Sequence, residues 1–344
     1  MNDLITQLTK AERLLLDTTL RSNNPFEGRD HALRLHADVL MALNQAIPKE
    51  TVENAVDWYP VEYQRLTLSA ETLQAIDQAF AGGSAFRNEP VTAEHVRQAR
   101  EFMQQHYEFD ASAVKVNISQ VLQTESVEGF FMPCGISDGA VFLPSEFCSP
   151  VELIVHELGH AMHTTIRRQR QPTDYRFWMN RFQIESEMCA FHAQFSYLLK
   201  HGNRVQFYVA LGALLTKVSE LLCLRALSEE MSLADFKTWL PVQAYRDTGA
   251  WQALLDMYGG MNPTHPNSEQ NTAVAVREYP KGMGLALALK LIDEPEGLVA
   301  FMKEDSAAMP ILSKLNEAFP RHNNLVSLDD INDVIHQISA RMQA

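Results

Sequence analysis

From Ser149 to Arg170 the chain admits little but a helix, and this helix constrains everything around it. Ser149 can cap the first turn, Pro150 suits the first helical position, and Glu152 stands where a capping box needs a carboxylate. The pattern predicts a helix over 151–167, with Val155 and Leu158 apolar and Gly159 permitting a close neighbour. The cations of Arg167-Arg168-Gln169-Arg170 would end it, opposing the macrodipole. His156 and His160 fall at i and i+4, one turn apart on one face.

Two imidazoles in that relation give a zinc ion two of its four ligands with little ordering cost, at about 2.0–2.1 Å. Glu157 follows the first histidine and so points about 100° away around the axis. It is placed to act on a metal-bound water rather than to ligate, taking its proton and passing it on. His163, at i+7 from His156, reads as an orienting histidine rather than a ligand.

A third ligand has to come from elsewhere. Gln183-Ile184-Glu185-Ser186-Glu187-Met188 places two carboxylates inside a strongly apolar helix, where acidic groups are costly unless paired with a metal or a base. Glu185 and Glu187 are two apart and point in different directions, so one of them is expected to face the metal. Asp174, in a predicted loop after Pro172, is a more distant candidate.

The rest of the chain reads as mainly α. Amphipathic helices are predicted over 3–21, 30–46, 69–80, from Thr92 to about 107, and over 181–200, 205–229, 281–293 and 328–341. Between 113 and 143 the pattern changes. Val114, Val116 and Ile118 alternate with polar residues, and 129–132 and 140–143 read as short strands. A small β-sheet therefore precedes the metal-binding helix. The expected division is 1–110 as an N-terminal helical region and 111–344 as the catalytic domain, with Ala81-Gly82-Gly83-Ser84 as a flexible connection.

Composition narrows the partners. The 344 residues are 46% hydrophobic and carry a net charge of −14, without the concentrated basic face a nucleic acid needs. No run reaches the ~18 apolar residues of a membrane span, and residues 1–20 lack a signal peptide's apolar core. Cys134, Cys148, Cys189 and Cys223 have neither disulfide nor Cys-x-x-Cys spacing and read as free thiols. The expectation is a cytoplasmic protein that engages neither nucleic acid nor membrane, with leaderless export as an alternative.

The stretch from about 139 to 195 resembles the thimet oligopeptidase and oligoendopeptidase F family of zinc peptidases. The resemblance rests on Glu152, His156, Glu157, Leu158, Gly159, His160, Met162 and His163, followed by Gln171-Pro172. It implies a zincin-like helical metallopeptidase holding one zinc ion on His156, His160 and Glu185, since the family's glutamate ligand lies about 24–25 residues after the second histidine. It implies Glu157 as general base, Glu152 and His163 as residues that orient the ligands, and peptides or unfolded proteins as substrates. Tyr279-Pro280-Lys281-Gly282 resembles the family's Tyr-x-x-Gly segment, which implies Tyr279 as a phenolic donor to the oxyanion. Tyr258 and His265 stand in for further groups that the family carries ahead of that tyrosine. The substrate backbone is expected to add to an edge strand at Ala140–Leu143. Two other readings share these residues: an exported protease directed at one partner, and a zincin-like binding protein without activity, against which the intact Glu157 argues.

Overall fold

The computed structural model describes residues 2–22, 24–46, 63–82, 87–125, 128–172, 178, 183–304, 311–322, 325 and 327–342. Asp174 and the Gly83-Ser84 connection lie outside them. The fold is mainly helical with a small sheet, and it divides into two compact units. The first comprises 1–58, 86–197 and 293–323, the second 59–85, 198–292 and 324–344. Residues before 110 are thus shared between the two.

The first unit holds the strands. A short pairing joins β1 (Glu89–Pro90) to the later segment Glu146–Phe147. Three further strands, β2 (Val114–Ser119), β3 (Phe130–Cys134) and β4 (Asp138–Pro144), form a sheet in the order β2-β4-β3. β2 runs parallel to β4, and β3 runs antiparallel to it. β4 is the central strand, buried from Gly139 to Pro144. Ala140–Leu143 is therefore no edge, and the outer strands beside it are β2 and β3.

Alternation along the strands assigns the faces. Phe130, Met132, Cys134, Ala140 and Phe142 share a core with Leu16 and Leu20 of α1 (Asn2–Arg21). Phe131, Val141 and Leu143 point the other way, and the helix Pro150–Arg170 packs on β3 and β4. Arg168, buried in the last turn of this helix, pairs with Glu12 at 2.9 Å and donates to the Gly135 carbonyl at 2.7 Å. Glu12 in turn accepts from the Gly135 N–H at 2.8 Å. Arg167 and Arg168 thus tie helices together as buried ion pairs rather than merely opposing a helix dipole. The helix Ala93–Tyr107, which opens with a capping box from Thr92 to His95, also packs on Pro150–Arg170.

The second unit is helical. Gly212–Ser228 packs between Ala250–Met261 and Ser268–Lys290. The predicted 205–229 helix is two helices, Arg204–Ala210 and Gly212–Ser228. Among the described residues this stretch alone, Arg204–Ser228, is long and apolar enough to cross a membrane, where the sequence pattern predicts none. Slightly over half of its apolar window, 56%, is buried inside the fold, as in a core helix.

Candidate metal centre

Two crossing helices build the site. Pro150–Arg170 carries His156, Glu157 and His160, and Gln183–His201 carries Glu187. They approach at Gly159, where an added Cβ would lie 2.6 Å from the Ala190 Cα and 3.0 Å from the Cys189 carbonyl oxygen. Only glycine permits backbones this close. The approach brings Glu187, less than one turn before Ala190, to the histidines: its Oε2 is 4.0 Å from His156 Nε2 and 3.9 Å from His160 Nε2.

These three are the one group among the described residues that could hold a metal ion, their ligand atoms lying within 4.8 Å of one another. Ligands about 2.05 Å from a tetrahedral zinc stand about 3.3 Å apart. The observed spacings need a contraction of well under 1 Å at the carboxylate. The donor chemistry also fits. Each imidazole engages a neighbour through Nδ1, His156 with Gln194 Oε1 at 2.9 Å and His160 with Ser186 Oγ at 2.8 Å. Each Nε2 is turned toward Glu187, and such outer partners are what orient metal-bound histidines.

Glu185 is not part of this group. It is buried and paired with Arg167, and it accepts from Lys314 Nζ at 2.9 Å. Burial alone would raise its carboxyl, but the two cations outweigh burial and hold it below the usual carboxylate range. Arg167 also donates to His163 Nε2 at 2.7 Å. His163 therefore belongs to this ion network, and the partners at the two histidines' Nδ1 atoms are Gln194 and Ser186 instead. Burial first, and Arg167 next, push the pKa of His163 well below the ordinary histidine value, leaving it neutral.

Glu152 is buried too, but not as a cap. The Ser149 side chain makes no capping bond to the helix, and Glu152 instead accepts from Gln194 Nε2 at 2.6 Å. Burial pushes its carboxyl up to about 7, with Gln194 and Ser149 pulling it down and Glu128 adding to the rise. An acid whose folded pKa is raised contributes stability that is full below the ordinary value of 4.5 and is lost as pH rises through about 7. Glu152→Gln keeps an acceptor for Gln194 and removes this term. In denaturant melts, wild type is expected to lose up to about 3 kcal/mol relative to the variant between acid and neutral pH. Parallel stability curves would contradict this.

Glu157 is 5% exposed, with its carboxylate against the backbone that enters β3. A Cβ on Gly129 would lie 3.3 Å from Glu157 Oε1 and 3.1 Å from the Phe142 carbonyl oxygen. The general-base candidate thus sits between its helix and the start of the outer strand.

The remaining candidates belong to the second unit. Tyr279 meets the ring of Tyr63 edge-on at 4.7 Å. Three residues on, Gly282 makes room for the Tyr63 phenol, whose oxygen would lie 1.8 Å from a Cβ there. The Tyr-x-x-Gly spacing thus has a packing explanation. Tyr258 is buried, stacks on Phe236 at 4.1 Å and donates its hydroxyl to the Met231 carbonyl. His265 is exposed in a turn, where its Nδ1 accepts from the Asn267 N–H at 3.2 Å.

Sequence reasoning does not single out Gln194, Ser186, Arg167 or Lys314 as parts of the site. Gln194 lies seven residues after Glu187, two turns along the same face, and that spacing is the available signal.

No family model matches the chain, and no curated protein matches it. A solved structure of a Pyrococcus furiosus carboxypeptidase, described as apo-Mg, is similar over 98% of this chain and 80% of that one, at 12% identity and a TM-score of 0.39. A likeness that loose leaves the chemistry to be argued from the residues above.

Proposed function

We propose that this chain is a zinc-dependent peptidase. The observation that carries the reading is the convergence of His156, His160 and Glu187 beside Glu157. The two histidines and Glu187 would hold the ion, which supplies Lewis acidity and lowers the pKa of water toward neutrality. Glu157, one residue from the first ligand, accepts a proton from the attacking water as its oxygen adds to the scissile carbonyl carbon. It returns that proton to the amine nitrogen as the C–N bond breaks.

The substrate class that suits this site is an extended peptide or unfolded chain. β4 is paired on both sides, so β3 is the strand beside Glu157 with an outer edge for substrate backbone. The combination of zinc and an intact base resembles the thimet and oligoendopeptidase F peptidases, with Glu187 taking the place of Glu185.

The test compares zinc content and cleavage of a quenched peptide library for wild type and Glu157→Gln. Wild type is expected to bind one zinc and cleave. The variant is expected to bind zinc equally and to lose at least about 10²-fold in kcat, the lower range for a proton-transfer group. A wild type that binds zinc and cleaves nothing, with the variant indistinguishable from it, would sink the peptidase reading.

A further inference from the structure

We infer that Gln194 is the positioning residue that makes His156 an Nε2 donor. The inference rests on the metal reading of His156 for its functional meaning, but not for its geometry. A neutral imidazole carries one N–H, and the ring nitrogen that lacks it is the one able to ligate. Gln194 Oε1 lies 2.9 Å from His156 Nδ1, and a carbonyl oxygen can only accept. The proton therefore sits on Nδ1, and the lone pair of Nε2 faces Glu187.

An amide alone would not settle this, because turned over it would present N–H groups to the ring and reverse the tautomer. Glu152 settles it. Its carboxylate oxygen, 2.6 Å from Gln194 Nε2, requires the amino end of the amide on its side. Glu152 and His156 are at i and i+4 on one helix, so their side chains are neighbours and one glutamine on the facing helix spans both. The same face of Gln183–His201 then supplies Glu187 to the centre and, two turns on, the group that selects the histidine's reactive nitrogen. Ser186 faces His160 in the corresponding place, but its hydroxyl can donate or accept and so does not select a tautomer.

The test uses full-length, metal-free protein with ¹⁵N-labelled histidine near pH 8, followed by zinc titration against a competing chelator. Wild type is expected to show His156 protonated on Nδ1. Gln194→Leu removes the acceptor and is expected to lose that tautomer and to bind zinc about 10–100-fold more weakly, the usual effect of losing an outer-shell partner. The double exchange Glu152→Gln with Gln194→Glu preserves charge and polarity. In it the amide moves to the first helix and donates to the carboxylate, which now stands on the second helix and accepts from Nδ1. The exchange is expected to restore both the tautomer and the affinity, and it decides the matter if Gln194→Leu does not fold. An Nε2-protonated His156 in wild type overturns the inference, as does a folded Gln194→Leu with unchanged tautomer and affinity. So does a folded exchange variant that recovers neither. A wild type with the expected tautomer that takes up no zinc would instead refute the metal reading and leave the role of Gln194 in the ring's orientation standing.

Discussion

Glu187→Gln is expected to abolish tight zinc binding while leaving the metal-free fold nearly as stable as wild type. Zinc held by protein ligands is worth about 10–16 kcal/mol in small structural sites, so losing one strong donor should weaken binding by roughly two to three orders of magnitude. The substitution is isosteric, and it removes a largely buried negative charge together with its desolvation cost, which is why little stability is expected to go with it. Glu185→Gln should behave in the opposite way. It leaves Arg167 and Lys314 buried without this countercharge, and breaking such a pair costs about 3–5 kcal/mol. A fall of about 5 °C in Tm is expected, with zinc affinity largely kept in the fraction that stays folded. Chelator competition and thermal melts on the two variants check this directly. The reverse pattern, with Glu185→Gln losing metal and Glu187→Gln losing stability, would restore the ligand set that the family resemblance implies.

Gly159→Ala carries the second large effect. Its methyl would meet backbone atoms of Cys189 and Ala190 at 2.6–3.1 Å, and no side-chain rotamer can relieve that. Ordinary carbon contacts lie near about 3.5–4.0 Å, so the helices must separate by about 1 Å. Overpacking of this kind costs about 1–3 kcal/mol. The functional cost is expected to be larger than the stability cost, because the same separation draws Glu187 away from both histidines. Zinc affinity should fall at least about tenfold, and peptide cleavage with it. Gly259→Ala is the control. It too is helical, nothing lies within 4 Å of its added Cβ, and it should be neutral or gain up to about 1 kcal/mol. Equal behaviour of the two variants would show that the crossing at Gly159 does not set the site.

The contrast between Glu185 and Glu187 also explains what was legible in the sequence. His156, Glu157 and His160 could be placed on one helix because their relation is local and follows from helical spacing alone. The choice between two carboxylates two residues apart is not local. They point about 200° apart, and which one meets the histidines depends on how the second helix is turned against the first. That turn is decided by the backbone contact of Gly159 with Ala190, and by Arg167 and Lys314, which claim Glu185. Lys314 lies 129 residues beyond Glu185, too far for any spacing argument.

The sheet offers a second lesson. Three strands are legible between 113 and 143, but their order is not, and the pattern suggests Ala140–Leu143 as an edge. Phe130–Met132 is as uninterruptedly apolar as Ala140–Leu143, so only the pairing of β4 with both β2 and β3 shows which of them lies in the middle. Arg167 and Arg168 show the same limit from the polar side. A basic helix end looks alike whether it is solvated or, as here, locked to Glu185 and Glu12.

X-ray absorption at the zinc edge of the purified, zinc-loaded protein reads the ligand shell itself. One zinc per chain is expected, with two imidazole nitrogens at about 2.0–2.1 Å, oxygen ligands completing the shell and no sulfur. Stoichiometric zinc should be lost in Glu187→Gln and kept in Glu185→Gln. Zinc that fails to bind stoichiometrically, or a shell with fewer than two imidazoles or with a thiolate, would contradict it.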